Sequence, residues 1–262
     1  MVIPCIDMKI ILIGAGNLAT RLAVALQKKG MTPAYIYSRT RESAEQLSER
    51  LRDVPYSTDI SRVPTDGDLY IFAVKDSALL DLVSRMPANR GLWVHTAGSM
   101  DMEVFAPYTA RYGVFYPMQT FSKERKTDFD DIPIFVEANH TNDTERLQEL
   151  AGRLSTKVYE ATSEQRKYLH LAAVFACNFT NHLYALCDRI LSEHGLPFET
   201  MLPLIRETAA KVADMPPAQA QTGPAIRYDK NVIDKQMALL SDPTMRQIYD
   251  LMSRSIHETN KH

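Results

Sequence analysis

The stretch "IILIGAGNLAT", residues 10–20, decides how the rest of this sequence is interpreted. An apolar run breaks into two glycines and continues as an amphipathic segment, which predicts a strand, a tight turn and a helix. Gly14, Gly16 and Ala19 form the pattern GxGxxA at that turn, where such a pattern typically holds a dinucleotide. A glycine-rich turn also occurs without a ligand, so the surrounding residues must decide between the two interpretations.

In the dinucleotide interpretation each small residue has a physical task. Gly14 permits the tight turn, and Gly16 lets the backbone approach a pyrophosphate at the helix N-terminus, where Asn17 and Leu18 begin the helix. Ala19 allows the helix to pack closely on the strand. These positions form the predicted phosphate cradle.

Composition excludes several classes of protein. The chain has 262 residues, 45% of them hydrophobic and 24% charged, with a net charge of −2. We therefore expect no nucleic-acid partner, and no apolar run reaches the roughly 20 residues that span a membrane. The start "MVIPCID" does not resemble a signal peptide, and Cys5, Cys177 and Cys187 form no disulfide or metal-binding pattern. A cytoplasmic protein without a bound metal is the expectation.

The N-terminal part alternates strand and helix patterns, which predicts a mainly parallel sheet with helices on both faces. Each predicted strand is bounded by glycine, proline, aspartate or asparagine. The predicted strands are 9–13, 34–38, 69–74, 93–96, 113–116 and 134–136. The expected fold class is α/β: a Rossmann dinucleotide-binding domain over residues 1–160, followed by an all-α domain over residues 161–262.

The pattern becomes helical near residue 160. Thr162 and Gln165 have the spacing of a capping box, and the sequence then indicates one helix to about residue 192. Such a helix would be about 45 Å long, so we expect it to form the spine of the second domain.

The end of the second predicted strand distinguishes between nicotinamide cofactors. NAD sites usually have an acidic residue there, but this strand ends in Ser38, Arg39 and Thr40, and the first carboxylate is Glu42. A guanidinium with two small hydroxyl donors suits the 2′-phosphate of NADP. Two alternatives are a solvated arginine and an NAD site where Arg39 only stacks on adenine. Arg41 is either a second phosphate contact or a surface residue.

Later strand ends point to the same edge of the sheet, because ligands bind beyond the carboxyl ends of strands in open α/β sheets. His95 either bonds the cofactor or satisfies a backbone carbonyl. The small or polar residues predicted to border the cofactor at these ends are Ala73, Val74, Lys75, Thr96 and Gly98.

The order of "IGAGNLA", "SRT", "FAVKD" and "HTAGS" resembles the NADP-dependent reductases in which a Rossmann domain precedes a helical domain. That superfamily includes pyrroline-5-carboxylate reductase, ketopantoate reductase and the 6-phosphogluconate dehydrogenase-like enzymes. "FYPMQTFS" (115–122), "HLAAVFACNFTNHLYAL" (170–186) and "TGPAIRYD" (222–229) are similar to the branch whose C-terminal helical domain has no known function. The resemblance implies an NADP oxidoreductase of unspecified substrate.

The sequence departs from the usual pattern of that branch at two positions. It also lacks a residue that is catalytic in a related group of enzymes. Tyr116 stands where the branch usually has histidine, and Tyr228 stands where it usually has glycine. The catalytic lysine of the β-hydroxyacid dehydrogenases has no clear counterpart in the long helix, so their mechanism is not carried over.

A polar edge on the long helix supplies the predicted chemistry. His170 and Asn181 share a stripe at 100° per residue, and Asn178 lies about 80° from His170. We interpret His170 as the proton donor and Asn178 as a hydrogen-bond donor to the reacting carbonyl or imine, with Asn181 beside the substrate. His182 is the rival acid. Alternatively, these polar groups satisfy one another as structural contacts.

Two further segments could contact the substrate. Thr222, Gly223 and Arg227 combine a turn with an arginine that can hold a carboxylate or phosphate. The alternative is a helix-capping turn with an ion pair to Asp229. Gln119, Thr120 and Phe121, which follow the fifth predicted strand, could form another wall of the same cleft.

The sequence thus predicts an NADP-dependent reductase of a small carbonyl or imine acid, bound between the two domains. Because the helical domains of such relatives commonly pack together, we expect a homodimer. The alternative is a non-catalytic NADP-binding sensor or regulatory protein, which would need no proton donor.

Overall fold

The computed structural model describes residues 8–260. These residues form two compact units, which divide between Cys177 and Asn178. Residues 1–7, on which the expectations about a signal peptide and Cys5 fall, lie outside the described part. Cys177 and Cys187 are free thiols. The predicted order, an α/β part followed by a helical part, is confirmed.

The described residues of the first unit form one eight-stranded sheet in the order β3-β2-β1-β4-β5-β6-β7-β8. Strands β1 to β6 are parallel, β7 is antiparallel to β6, and β8 is parallel to β7. The strands are β1 Ile10–Ile13, β2 Tyr35–Tyr37, β3 Tyr56–Ser57, β4 Leu69–Phe72, β5 Leu92–His95, β6 Tyr112–Pro117, β7 Ile134–Ala138 and β8 Val158–Glu160. All six predicted strands are present. The two that the sequence did not indicate, β3 and β8, have only two and three residues.

The apolar runs form strands because both faces of the sheet are covered. Along β1, Ile10 and Leu12 belong to one hydrophobic cluster, and Ile11 and Ile13 to another on the opposite face. Successive side chains of a strand point to opposite faces, so a continuous apolar run is needed where both faces are buried.

Five helices of the first unit flank this sheet. They are α1 Asn17–Lys28, α2 Arg41–Arg50, α3 Asp76–Ser84, α4 Thr141–Leu154 and α5 Ser163–Ala173. In α1, Ala19, Leu22, Ala23 and Leu26 are fully buried, which is the spacing of one helix face. This packing holds the N-terminus of α1 at the carboxyl end of β1.

A buried arginine connects α5 to the sheet. Arg166 is 1% exposed and pairs with Glu137 of β7 at 2.7 Å. Its guanidinium also donates to the carbonyls of Ala97, at 3.2 Å, and Met100, at 2.6 Å. Removing one partner of such a buried pair typically costs about 3–5 kcal/mol. The loop after β5 is therefore held against the start of α5.

The long helix begins as the sequence predicts. Thr162 accepts a hydrogen bond from the Gln165 backbone, and the Gln165 side chain returns one to the Thr162 backbone, so the capping box is confirmed. A π-helical stretch, Val174–Phe179, separates α5 from the following helix. The two units divide inside this stretch, so α5 packs with the first unit.

The second unit is helical and has a small buried core. Its helices are α6 Thr180–Glu193, α7 Leu202–Asp214, α8 Pro217–Ala220, α9 Lys230–Ala238 and α10 Pro243–Thr259. Among residues 178–260, only Ile233, Met245 and Ser253 are buried. Arg189 of α6 pairs with Asp242, which caps α10, at 2.6 Å. Across residues 8–260, no helix is both long enough and apolar enough to cross a bilayer.

Candidate cofactor site

The order of the strands reverses between β1 and β4, and a cavity of about 500 Å³ lies at that point. The Gly14 N–H donates to the Tyr37 carbonyl at 2.7 Å, and the Ala73 N–H donates to the Ile13 carbonyl at 2.8 Å. These bonds bring the ends of β1, β2 and β4 together. In doubly wound sheets this reversal is where ligands bind.

The glycine turn leaves room for a ligand at its second glycine only. Gly14 has φ +124°, and a Cβ there would lie 2.3 Å from the Ala73 carbonyl oxygen, so the turn excludes any side chain. A Cβ on Gly16 would meet nothing within 4 Å. Gly16 is the N-cap of α1 without a side-chain cap, which leaves the first backbone amides of the helix available to an anion. This cradle fits a pyrophosphate.

Most of the predicted cofactor residues line this cavity. They are Gly14, Gly16, Ser38, Arg39, Thr40, Ala73, Val74 and Lys75. The sequence did not indicate several further polar residues of the wall, among them Ser43, Thr58, Ser77, Asp81, Arg85 and Lys123. Ser43 lies one helical turn beyond Thr40 and could have been found from that spacing. Lys123 comes from a distant loop and could not.

The four other predicted cofactor residues do not line this cavity. Asn17 donates instead to the Phe121 carbonyl at 3.1 Å, and Leu18 packs against the hydrophobic core. Thr96 is buried, with its hydroxyl 3.5 Å from the Phe72 carbonyl. Gly98 has a different neighbour, described below.

The cavity is positively charged. Arg39, Lys75 and Lys123 line it, and the ion pairs found among residues 8–260 include none of them. Arg85 is partly neutralised, because its guanidinium lies 3.2 Å from Asp81. Three uncompensated cations can receive more negative charge than a pyrophosphate alone carries.

Arg41 does not share this position. It pairs with Glu45 one helical turn away at 2.7 Å and does not line the cavity. The interpretation of Arg41 as a surface residue is therefore favoured over a second phosphate contact.

His95 is a buried structural residue. It is 0% exposed, its Nδ1 accepts from the Ala97 N–H at 3.2 Å, and its Nε2 lies 3.3 Å from the Asp101 carbonyl. Nε2 therefore carries the ring proton. Burial, helped by the nearby charge of Arg166, lowers the pKa of His95 to about 4. Of the two roles left open by the sequence, bonding the backbone is the one observed.

His170 contacts the sheet at the carboxyl end of β6. Its Nδ1 lies 3.2 Å from the hydroxyl of Tyr116, at the end of β6, and the planes of the two rings are 66° apart. Tyr116 is 7% exposed, and burial raises the pKa of its phenol. A Cβ on Gly98 would lie 2.6 Å from Nδ1 of His170, so glycine is required there for the close approach of the helix. His170 itself is exposed.

The remaining predicted residues of the long helix and of the β6 end are exposed. Asn178 lies in the π-helical stretch, while Asn181 and His182 lie in α6. The extra residue in a π turn shifts side chains around the axis, so the 100° arithmetic does not hold across it. Gln119 and Thr120 bond each other: the Gln119 Oε1 accepts from the Thr120 backbone at 2.8 Å.

In the second unit, the predicted substrate turn is organised as a helix cap. Thr222 and Arg227 are exposed, and Gly223 has φ +103°. The Asp229 side chain accepts from the backbone of α9, and Arg227 has no ion pair in the described part of the chain. The capping interpretation is therefore observed, without its proposed ion pair.

The conformation of residue 228 accounts for the glycine that the branch usually has where this chain has tyrosine. Tyr228 has φ +50°, a left-handed conformation that favours glycine. Its ring stacks on that of His257 at 4.8 Å, a contact that compensates for the strained backbone.

Comparison with known proteins agrees with this geometry. Residues 3–118 match the Rossmann-like domain family, and residues 132–256 match a domain of unknown function, DUF2520. A crystal structure from Bacteroides fragilis, described as a "putative NADP oxidoreductase", is 53% identical, with a TM-score of 0.90 over 96% of this chain and 98% of that one. The chain therefore belongs to the family of Rossmann-like proteins that carry this C-terminal domain, as the resemblance predicted.

More distant structures share the fold. A reductive aminase from Aspergillus terreus, in complex with NADPH and ethyl levulinate, is 17% identical, with a TM-score of 0.73 over 97% of this chain and 95% of that one. A pyrroline-5-carboxylate reductase from Coxiella burnetii is 15% identical, with a TM-score of 0.58 over 97% of each chain. None of the curated proteins matches the sequence.

The buried neutral His95 predicts a loss of stability in mild acid. Its pKa is about 6.5 in the unfolded chain and about 4 in the folded one, so below pH 6.5 the unfolded state binds the extra proton. Stability therefore falls as the pH drops from 6.5 to 4. Between pH 7 and pH 5, His95→Gln should reduce this loss by about 2 kcal/mol relative to the unsubstituted protein.

Urea unfolding at both pH values measures this difference. The contributions of the exposed histidines to the pH dependence are the same in both proteins and cancel in the comparison. Imidazole resonances provide an independent check. A His95 ring that titrates near pH 6.5 in the folded protein would contradict the assignment.

Proposed function

We propose that this protein is an NADP-dependent reductase that acts on a small carbonyl or imine acid. The observation that carries the proposal is the cavity at the β1/β4 reversal, where an open glycine cradle lies beside three uncompensated cations. The 53% identical structure from Bacteroides fragilis, which is described as an NADP oxidoreductase, supports the same cofactor.

The residues of the cavity have separate tasks in this proposal. The first amides of α1 hold the pyrophosphate, and Gly16 lets it approach the backbone. Arg39, with Ser38 and Thr40, holds the 2′-phosphate of the adenosine. When bound, the cofactor supplies a hydride, while the protein positions the substrate and supplies a proton.

We assign the proton to His170. In its charged form, the ring donates its Nε2 proton to the substrate oxygen or nitrogen and retains the proton on Nδ1. The Tyr116 hydroxyl oxygen, 3.2 Å from Nδ1, accepts a hydrogen bond from that group. Because burial raises the pKa of Tyr116, the phenol stays neutral, and its oxygen accepts from Nδ1 before and after the ring gives up its Nε2 proton. His170 is exposed, so water can return its proton.

Other parts of the reaction stay predictions. These are the location of the substrate between the two domains and the substrate contacts of Gln119, Thr120, Asn178, Asn181, Thr222, Gly223 and Arg227. The cytoplasmic location of the protein also stays a prediction.

The preference for NADP can be measured at Arg39. Arg39→Ala should weaken NADPH binding about 10- to 100-fold and NADH binding less than threefold, because only NADPH carries the phosphate that the guanidinium meets. Arg41→Ala is the matched control, since Arg41 pairs with Glu45, and it should change neither affinity. Fluorescence titration gives both constants. Equal loss of both cofactors would mean that Arg39 only stacks on adenine.

The proton donor can be identified with a panel of small 2-oxo and cyclic imine acids, following NADPH oxidation. With any acid that is turned over, His170→Ala should lower kcat about 100-fold or more while the Kd of NADPH is unchanged. His182→Ala, the control, should stay within threefold. If NADPH binds but no member of the panel is reduced, the non-catalytic sensor becomes the better interpretation.

We also propose that the protein works as a homodimer through its second unit. Between residues 178 and 260, that unit leaves large apolar side chains exposed and buries three residues. The exposed ones are Phe179, Leu183, Ile190, Leu196, Leu204, Val212, Met215, Leu239, Leu251 and Met252. So many exposed large apolar side chains in one unit are typical of an interaction surface, and a second copy of the chain supplies the same apolar residues in return.

The homodimer predicts a concentration-independent mass of two chains at micromolar concentration. Leu251→Glu, at a position that is 61% exposed, should shift the dissociation constant at least tenfold toward monomer. Leu80→Glu in α3 is the control, because Leu80 is similarly exposed, at 54%, but lies in the first unit. Analytical ultracentrifugation measures the masses. A monomer across the whole concentration range would overturn the proposal.

A further inference from the structure

The segment that connects β6 to β7, residues 118–133, is tied to the helices behind the cofactor cavity. Three successive carbonyls, at residues 121–123, accept hydrogen bonds from α1 and α2. Asn17 donates to the first at 3.1 Å, and the Nε of Arg21 donates to the second at 2.8 Å. A second nitrogen of Arg21 and the guanidinium of Arg50, at 3.4 Å, donate to the third.

This anchoring is part of the folded core. Phe121 packs against the main hydrophobic cluster and stacks on Phe129 at 5.7 Å. Arg21 is only 8% exposed, and within residues 8–260 no carboxylate pairs with it, so its donors serve the backbone of this segment. The segment therefore has a defined backbone position over the start of α1.

The residue that this arrangement brings to the cavity is Lys123. Its carbonyl is held by Arg21 and Arg50, and it lines the same cavity as Gly16, Arg39 and Thr40. Arg50 is the last residue of α2, the helix that begins just after Arg39 and Thr40, so the anchor joins the segment to both helices that follow β1 and β2. The backbone amides of α1 already serve the pyrophosphate, whereas a 2′-phosphate carries up to two negative charges, more than the single guanidinium of Arg39 compensates.

We propose that Lys123 is a second cation for the 2′-phosphate of the cofactor and determines its specificity together with Arg39. This inference rests on the proposed function, because it requires that NADP occupies the cavity. Arg21 is a positioning residue in this arrangement: it fixes the backbone from which Lys123 reaches the phosphate. Two cations, one just after β2 and one on the β6–β7 segment, then contact the group that distinguishes NADP from NAD.

The test compares cofactor binding by Lys123→Ala and Lys126→Ala. Lys126 lies three residues along the same segment and lines a neighbouring cavity rather than this one, so it is the matched control. Calorimetric titration uses NADPH, NADH, 2′,5′-ADP and 5′-ADP. Lys123→Ala should weaken NADPH and 2′,5′-ADP about tenfold and NADH and 5′-ADP less than twofold, as expected for one charge-assisted contact. Lys123→Arg should restore NADPH affinity to within threefold, and Lys126→Ala should change nothing.

The outcomes separate the two levels of the proposal. If the unsubstituted protein does not bind NADPH, the proposed function itself fails. If it binds NADPH and Lys123→Ala leaves the affinity unchanged, only the role of Lys123 is wrong. An equal loss of NADPH and NADH would place Lys123 on the pyrophosphate and would also overturn the specificity role.

Discussion

The close approach of the β1 turn to β4 is the constraint on which the rest of the structure depends. Gly14 lies so near the Ala73 carbonyl that a methyl group would overlap it, at 2.3 Å. That contact brings the ends of the two central strands together at the point where the strand order reverses. The direction of α1, the openness at Gly16 and the cavity beyond both strands follow from it. A side chain at residue 14 would separate the strands that form the cradle.

A second constraint is the buried ion pair near the carboxyl ends of β5 and β6. Arg166 joins α5 to Glu137 and to two carbonyls of the loop after β5, which includes Gly98. The same helix carries His170, which contacts Tyr116 across the space that Gly98 leaves open. A buried ion pair thus gives His170 a fixed approach to the sheet. The candidate proton donor is therefore positioned by Arg166, Glu137 and Gly98, which take no part in the proposed proton transfer.

Local patterns predicted much of the first unit. The turn at residues 14–19, six of the eight strands and the capping box at Thr162 could be predicted because each depends on neighbours within a few positions. The strands β3 and β8 could not, since these short strands lie at the two edges of the sheet and contain no buried apolar run. The π-helical stretch was missed for another reason: its sequence is compatible with an ordinary helix.

In the candidate site, too, some residues could be predicted from local sequence and others depended on tertiary contacts. Ser38, Arg39 and Thr40 could be assigned to the cavity because strand ends of a parallel sheet meet at one edge. The sequence alone could not choose between the two roles of His95, which depended on burial and on the Asp101 carbonyl. Gly98 was expected beside the cofactor but lies against the ring of His170.

The sequence by itself determined the class of fold, the glycine cradle and the residues at the end of β2, because these follow from hydrophobic periodicity and from chemistry within one turn. Only the tertiary structure brought Lys123 to the cavity, paired Tyr116 with His170 and left the helical unit with so few buried side chains. Those features join positions dozens of residues apart. Their proximity results from how strands and helices pack, which no local pattern in the chain encodes.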